Sequence, residues 1–144
     1  MRSIVERFSV QTGHDTEMID ITDRVKEIVA GTGVANGMAL VMTMHTTTAI
    51  TVNEGLEDLE DDITEMLARL APEGRDYRHA RFLHSDGQMA VNAPSHLKGA
   101  LLGMQFVAPI ADGNLVLGAR HTIYFVELDG PLERQLVIQV LGAE

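Results

Sequence analysis

Near the C-terminus Leu136, Ile138 and Val140 alternate with Gln135, Val137 and Gln139, an apolar period of two that suits a strand with one face against a core. The other end of the chain reads the same way. Residues 3–12 predict a first strand in which Ile4, Phe8 and Val10 face opposite to Val5, Arg7 and Ser9. Residues 38–44 form an apolar run bounded by Gly37, too short for a typical helix and read as a buried strand, and residues 49–52 read as a further extended segment. The turn Ala111-Asp112-Gly113-Asn114 separates strands over 105–110 and 115–118, and Asp129-Gly130-Pro131 follows a β-branched and aromatic strand over 122–128.

Helical spacing occurs only between these strands. Leu56, Leu59, Ile63, Met66, Leu67 and Leu70 predict a helix over 56–70, with Pro72 just past its end. Thr22 is placed to cap a short helix with Val25, Ile28 and Val29 on one stripe, stopping near Gly31 and Gly33. Asn92 is a cap candidate for a third helix, with Pro94 in its first turn and Gly103 as terminator. Residues 73–88 are polar and irregular and read as a long loop, of a length that in an ordered domain often carries function. The expected fold is α+β: one compact domain over residues 1–144, dominated by antiparallel β-sheet, sandwich-like, with two or three helices.

Composition narrows the function classes. At 144 residues and 45% hydrophobic the chain is globular in type, and its length suits one core. Eleven basic against 21 acidic residues leave a charge of −10, opposite to a nucleic-acid footprint. No apolar stretch approaches a membrane span, no signal peptide is visible, and there is no cysteine to form disulfides or thiolate metal sites. A soluble cytoplasmic protein is expected.

The chemistry-bearing residues are concentrated in a few places. His45-Thr46-Thr47-Thr48, followed by Asn53-Glu54, puts an imidazole, hydroxyls, an amide and a carboxylate in one short stretch suited to phosphate oxygens, metal or proton transfer. A Thr-rich strand ending in a histidine is the structural alternative. There are six histidines, His14, His45, His79, His84, His96 and His121; none has HExxH spacing, but imidazoles from separate elements can converge on zinc. Acidic residues over 54–65 mostly lie off the apolar stripe of their helix and read as a solvated face. Ser95-His96-Leu97-Lys98 would set helix-terminal amides and a lysine near an anion, or be part of a surface helix with an ordinary lysine. The methionines read as core filler.

In this order His45-Thr46-Thr47-Thr48-Ala49, Asn53-Glu54, an acid near Asp62, Tyr77-Arg78-His79, Ser95-His96-Leu97-Lys98, Leu102-Gly103, Pro109, Leu117-Gly118, Glu127 and Asp129-Gly130-Pro131 resemble the YjbQ-like family, described as secondary thiamine-phosphate synthases. The match runs from about His45 to the C-terminus, with a weaker fit before it. The resemblance implies an antiparallel α+β fold, a homotrimer, and a site near subunit boundaries built from the histidine, Asn-Glu and His-Leu-Lys motifs. The activity it implies is weak joining of a pyrimidine pyrophosphate to a thiazole phosphate. The chain departs from the family pattern at Gly118-Ala119-Arg120-His121, where Gly-Thr-Trp-Gln is usual, and at Leu132, where Arg is common.

The resulting expectation is an enzyme acting on a phosphorylated small molecule, with His45, His96 and Glu54 catalytic and Thr46, Thr47, Asn53, Lys98 and Arg120 binding substrate. His45, His79 and His96 are the candidate ligands of a divalent metal, zinc or magnesium. The other classes are a non-catalytic trimeric binder of metal or anion, and a metal-dependent phosphoester hydrolase using Glu54 as base. His84 and His121 are local additions.

Overall fold

A computed structural model of the chain describes residues 1–79, 81–83 and 88–144. Two antiparallel sheets face one another. The larger contains β1 (Arg2–Gln11), β10 (Glu133–Ala143), β3 (Asn36–Thr43), β7 (Gln105–Ala111) and β8 (Asn114–Leu115), in that spatial order. The smaller has β9 (Thr122–Glu127) between β2 (Glu17–Asp20) and β4 (Thr48–Asn53). A separate hairpin pairs β5 (Arg81–Leu83) with β6 (Gln88–Ala90). Among the described residues three helices complete the α+β fold: α1 (Thr22–Gly31), α2 (Glu57–Leu70) and α3 (Ala93–Leu102).

The period-two pattern explains the sandwich. In register, Ile4, Val140, Ala39 and Ala108 form one row across the larger sheet. They point into the same core as Leu136, Ile138 and Val41. From the smaller sheet, Ile50, Ile123 and Phe125 meet them, and α1 adds Val25 and Val29. The opposite face of β9 carries Tyr124 and Val126, which with Leu128 just past the strand and Ala49 make a second cluster against Leu102 of α3. The smaller sheet is thus covered on both sides, which is why β9 is almost continuously buried.

Several expectations need correction. Thr22 does not cap α1: Ile21 occupies the cap position, Asp20 Oδ1 accepts the Thr22 N–H at 2.9 Å, and the Thr22 hydroxyl accepts the Ile123 N–H at 2.8 Å. The segment over 73–88 is not all loop, because β5 and part of β6 lie within it. β2 has no counterpart in the sequence reading; four residues are too few to display a period. On α2 the helical spacing holds, but only Leu67 is buried; Leu56, Met66 and Leu70 are 47%, 48% and 59% exposed. Tyr124 ties this helix to the sheet, its hydroxyl donating to Glu60 Oε2 at 2.6 Å. Burial and the Glu60 carboxylate both push the Tyr124 phenol above its ordinary range.

Candidate functional site

β9 carries the chain to Leu128 and Asp129 at one end of the smaller sheet, where α3 begins. The Ser95 hydroxyl donates to the Leu128 carbonyl at 2.5 Å, anchoring the first turn of α3 to that end. Farther along the helix, a Cβ at Gly99 would lie 3.1 Å from the Thr48 carbonyl oxygen and 3.4 Å from that of Thr46. Glycine therefore lets α3 sit against the threonine segment.

His96 of α3 and His79, from the segment after α2, meet edge to face with ring centroids 4.9 Å apart and planes at 88°. With Ala93 and Leu97 they line a hollow of about 250 Å³. Asn92 holds the cap position of α3 but makes no capping bond with its side chain. Its amide instead bridges outward: Nδ2 donates to Asp129 Oδ2 at 3.0 Å, and Oδ1 lies 3.1 Å from His79 Nε2.

His45 is held elsewhere, at the point where β3 leaves the larger sheet. The Met44 N–H still donates to the Gln135 carbonyl at 3.1 Å, whereas the Gln135 N–H donates to His45 Nε2 at 2.9 Å. The imidazole thus replaces a ladder carbonyl. Its Nε2 lone pair is used, so the neutral ring carries its proton on Nδ1. Burial, with the nearby Arg134 charge, holds His45 below its ordinary value of 6.5, against an opposing pull from Glu127.

The Arg134–Glu127 pair is 4% and 0% exposed and joins the two sheets at this end. Arg134 Nε and Nη2 donate to the two Glu127 oxygens at 2.9 and 2.6 Å, and Nη2 also donates to the Thr47 hydroxyl at 3.0 Å. Thr12 Oγ1 and the N–H groups of Leu128 and Asp129 complete the carboxylate's partners. Burial alone would raise the Glu127 pKa, but these donors outweigh it and leave it below 4.5. Thr47 is accordingly a buried structural partner of Arg134, while Thr46 is exposed.

The remaining predicted site residues do not line the hollow. Asn53 Oδ1 accepts the Glu54 N–H at 2.8 Å, and the Glu54 carboxylate is paired with Arg120 at 2.7 Å. His121 Nδ1 accepts the Gly118 N–H at 2.9 Å. Lys98 is only 9% exposed, with no ion-pair partner among the described residues. No fully buried side-chain nitrogen lacks a partner among those residues, so its ammonium keeps contact with water. Two residues apart on α3, Lys98 and His96 leave the helix about 200° from one another. Among the described residues no three His, Asp or Glu side chains form a metal-sized group; His79 and His96 meet, but His45 does not line their hollow. His84 lies outside the described residues.

Four residues central to this geometry were absent from the predicted site. Asn92 reads as a cap and Asp129 as a turn residue. Glu127 and Arg134 carried a usable signal: each continues the buried phase of its strand, Ile123–Phe125–Glu127 and Arg134–Leu136–Ile138. A charge in a buried phase requires a buried partner.

The family model described as UPF0047 protein, YjbQ-like, matches residues 6–143. The chain belongs to this family. The match also covers the N-terminal third, where the sequence motifs were weaker. A UPF0047 protein of Archaeoglobus fulgidus is 40% identical over 133 residues, covering 92% of this chain and 98% of the relative. YugU of Bacillus subtilis is 32% identical over 139 residues, covering 96% and 100%. The crystal structure of a YbjQ-like protein from Sulfolobus solfataricus superposes with a TM-score of 0.88 at 35% identity over 98% of each chain. These likenesses establish family and fold. No helix among the described residues is long and apolar enough to cross a membrane.

Proposed function

We propose that the chain is an enzyme acting on a phosphorylated small molecule at the His79–His96 hollow. The observation that carries this reading is the edge-on imidazole pair in a hollow of about 250 Å³, with one ring tethered through Asn92 to Asp129. Paired imidazoles can hold and move protons on reacting oxygens or nitrogens. A chain of charge −10 repels anions at long range, so a phosphorylated ligand needs a local cation. Lys98 leaves α3 on the side away from His96 and does not line the hollow, so that cation would be a metal ion or a group of another copy of the chain. The specific form of the proposal is the joining of a pyrimidine pyrophosphate to a thiazole phosphate, supported by the sequence motifs shared with YjbQ-like proteins.

The test supplies both precursors and measures thiamine phosphate and released pyrophosphate. His96→Ala and His79→Ala should each lower turnover by about 10²-fold or more if they serve as acid and base. Ligand binding without turnover would favour the non-catalytic binder. Hydrolysis of a simple phosphate ester only after zinc addition would favour the metal-dependent hydrolase. Two imidazoles suit zinc better than magnesium, and further ligands would come from water or another copy of the chain.

The homotrimer is part of the proposal. The outward face of the larger sheet carries exposed Val5, Met38 and Val107, and the helical layer exposes Met66, Leu70, Leu97 and Leu101. Such apolar surface supports burial against further copies.

A further inference from the structure

Asn92 is the residue whose local role and actual contacts disagree most. Asparagine at a helix cap ordinarily accepts an N–H from the first turn. Here its side chain makes no such bond and instead spans from Asp129 to His79.

The direction of that chain follows from chemistry. An ionised carboxylate only accepts hydrogen bonds, so the Asn92 group facing Asp129 Oδ2 at 3.0 Å is the NH₂. The Asn92 oxygen therefore faces His79, and the His79 Nε2 at 3.1 Å must carry the hydrogen. In the neutral ring Nδ1 is then a bare acceptor, and no group among the described residues takes it up.

We propose that Asp129 and Asn92 are positioning residues that hold His79 as its Nε2–H tautomer, giving the hollow one fixed acceptor, His79 Nδ1, which selects ligands that bring an O–H or N–H to it. This inference rests on the phosphorylated-ligand reading of the same hollow and specifies what else the ligand must offer. The smallest anions that probe it are inorganic phosphate and sulfate. At about pH 8, above the ordinary imidazole range, phosphate still carries a proton and sulfate has none. An acceptor in the site therefore favours phosphate.

The experiment combines ¹⁵N NMR of the histidine rings with calorimetric titration of phosphate and of sulfate at about pH 8, using the full chain. Wild type should show His79 protonated on Nε2 alone and bind phosphate about threefold to tenfold tighter than sulfate, the worth of one hydrogen bond. Asn92→Ala removes no capping bond, and Asp129→Asn replaces the acceptor that orients the amide. Either substitution should mix the two tautomers and bring the phosphate-to-sulfate ratio towards one, with sulfate gaining because the Nδ1–H form offers it a donor. If one variant fails to fold, the other still decides. A wild-type His79 protonated on Nδ1, or a single tautomer retained in both variants, overturns the positioning chain. Equal binding of the two anions overturns the selectivity while leaving the phosphate reading standing. Failure to bind either anion overturns that reading itself.

Discussion

Arg134 and Glu127 show how much one pair of side chains can decide. Each would be costly to bury alone, and together they close one end of the sandwich with Thr12 and Thr47 as satisfied partners. Arg134→Met should destabilise the fold by about 3–5 kcal/mol, because it leaves the Glu127 carboxylate buried without its cation. Combining it with Glu127→Gln should cost clearly less than the single change; urea unfolding of both variants measures the difference. The pair also sets an acid limb. With its folded pKa held below 4.5, Glu127 contributes fully above that pH, and the contribution drains as pH falls through the folded value. His45, also lowered, adds stability above 6.5 that is lost as pH falls through its own folded value. Unfolding midpoints across pH should therefore decline in two steps, with the lower step flattened in Glu127→Gln.

At the scale of elements, strand pairing is limited by backbone approach as much as by apolar pattern. Gly37 of β3 and Gly142 of β10 are direct partners. A Cβ at Gly37 would fall 1.9 Å from the Leu141 carbonyl oxygen, and one at Gly142 would fall 2.3 Å from the Asn36 carbonyl oxygen. Gly37→Ala should therefore cost about 1–3 kcal/mol by overpacking, measured as a lower denaturation midpoint. A substitution at the exposed Ala30 of α1 should stay within about 0.5 kcal/mol. The helices divide differently. α1 inserts Val25 and Val29 into the main core, while α2 is held by Leu67 and the Tyr124–Glu60 bond and leaves half of its stripe uncovered.

For the whole molecule, the uncovered surface carries a prediction about assembly. Light scattering after size exclusion should give three times the chain mass, and Val107→Asp on the outward face of β7 should shift it towards the monomer. A monomeric wild type would remove the trimer and leave the exposed Val5, Met38 and Val107 without a partner. If the hollow needs a neighbouring copy, the same substitution should also weaken phosphate binding. If it retains wild-type affinity as a monomer, the hollow is complete in one chain.

What the chain determines by itself is the local geometry. Alternation over 135–140 makes a strand, and the spacing of Leu59, Ile63 and Leu67 makes a helix, with Gly103 ending α3 at a φ of 91°. These are short-range consequences of backbone periods and turn sterics, and they amount to the α+β class and most of its elements. His79 and His96 were also legible as candidates, because imidazoles are chemically conspicuous. Their meeting was not legible, since it depends on how the segment after α2 packs against α3. The same holds for Asn92, whose amide serves Asp129 across 37 positions of sequence, and for His45, whose ring serves Gln135 across 90. Such contacts depend on which elements become neighbours, and a period read along one segment carries no information about what packs beside it. Only the tertiary structure decided which polar groups were consumed in holding the sheets together and which were left facing the hollow.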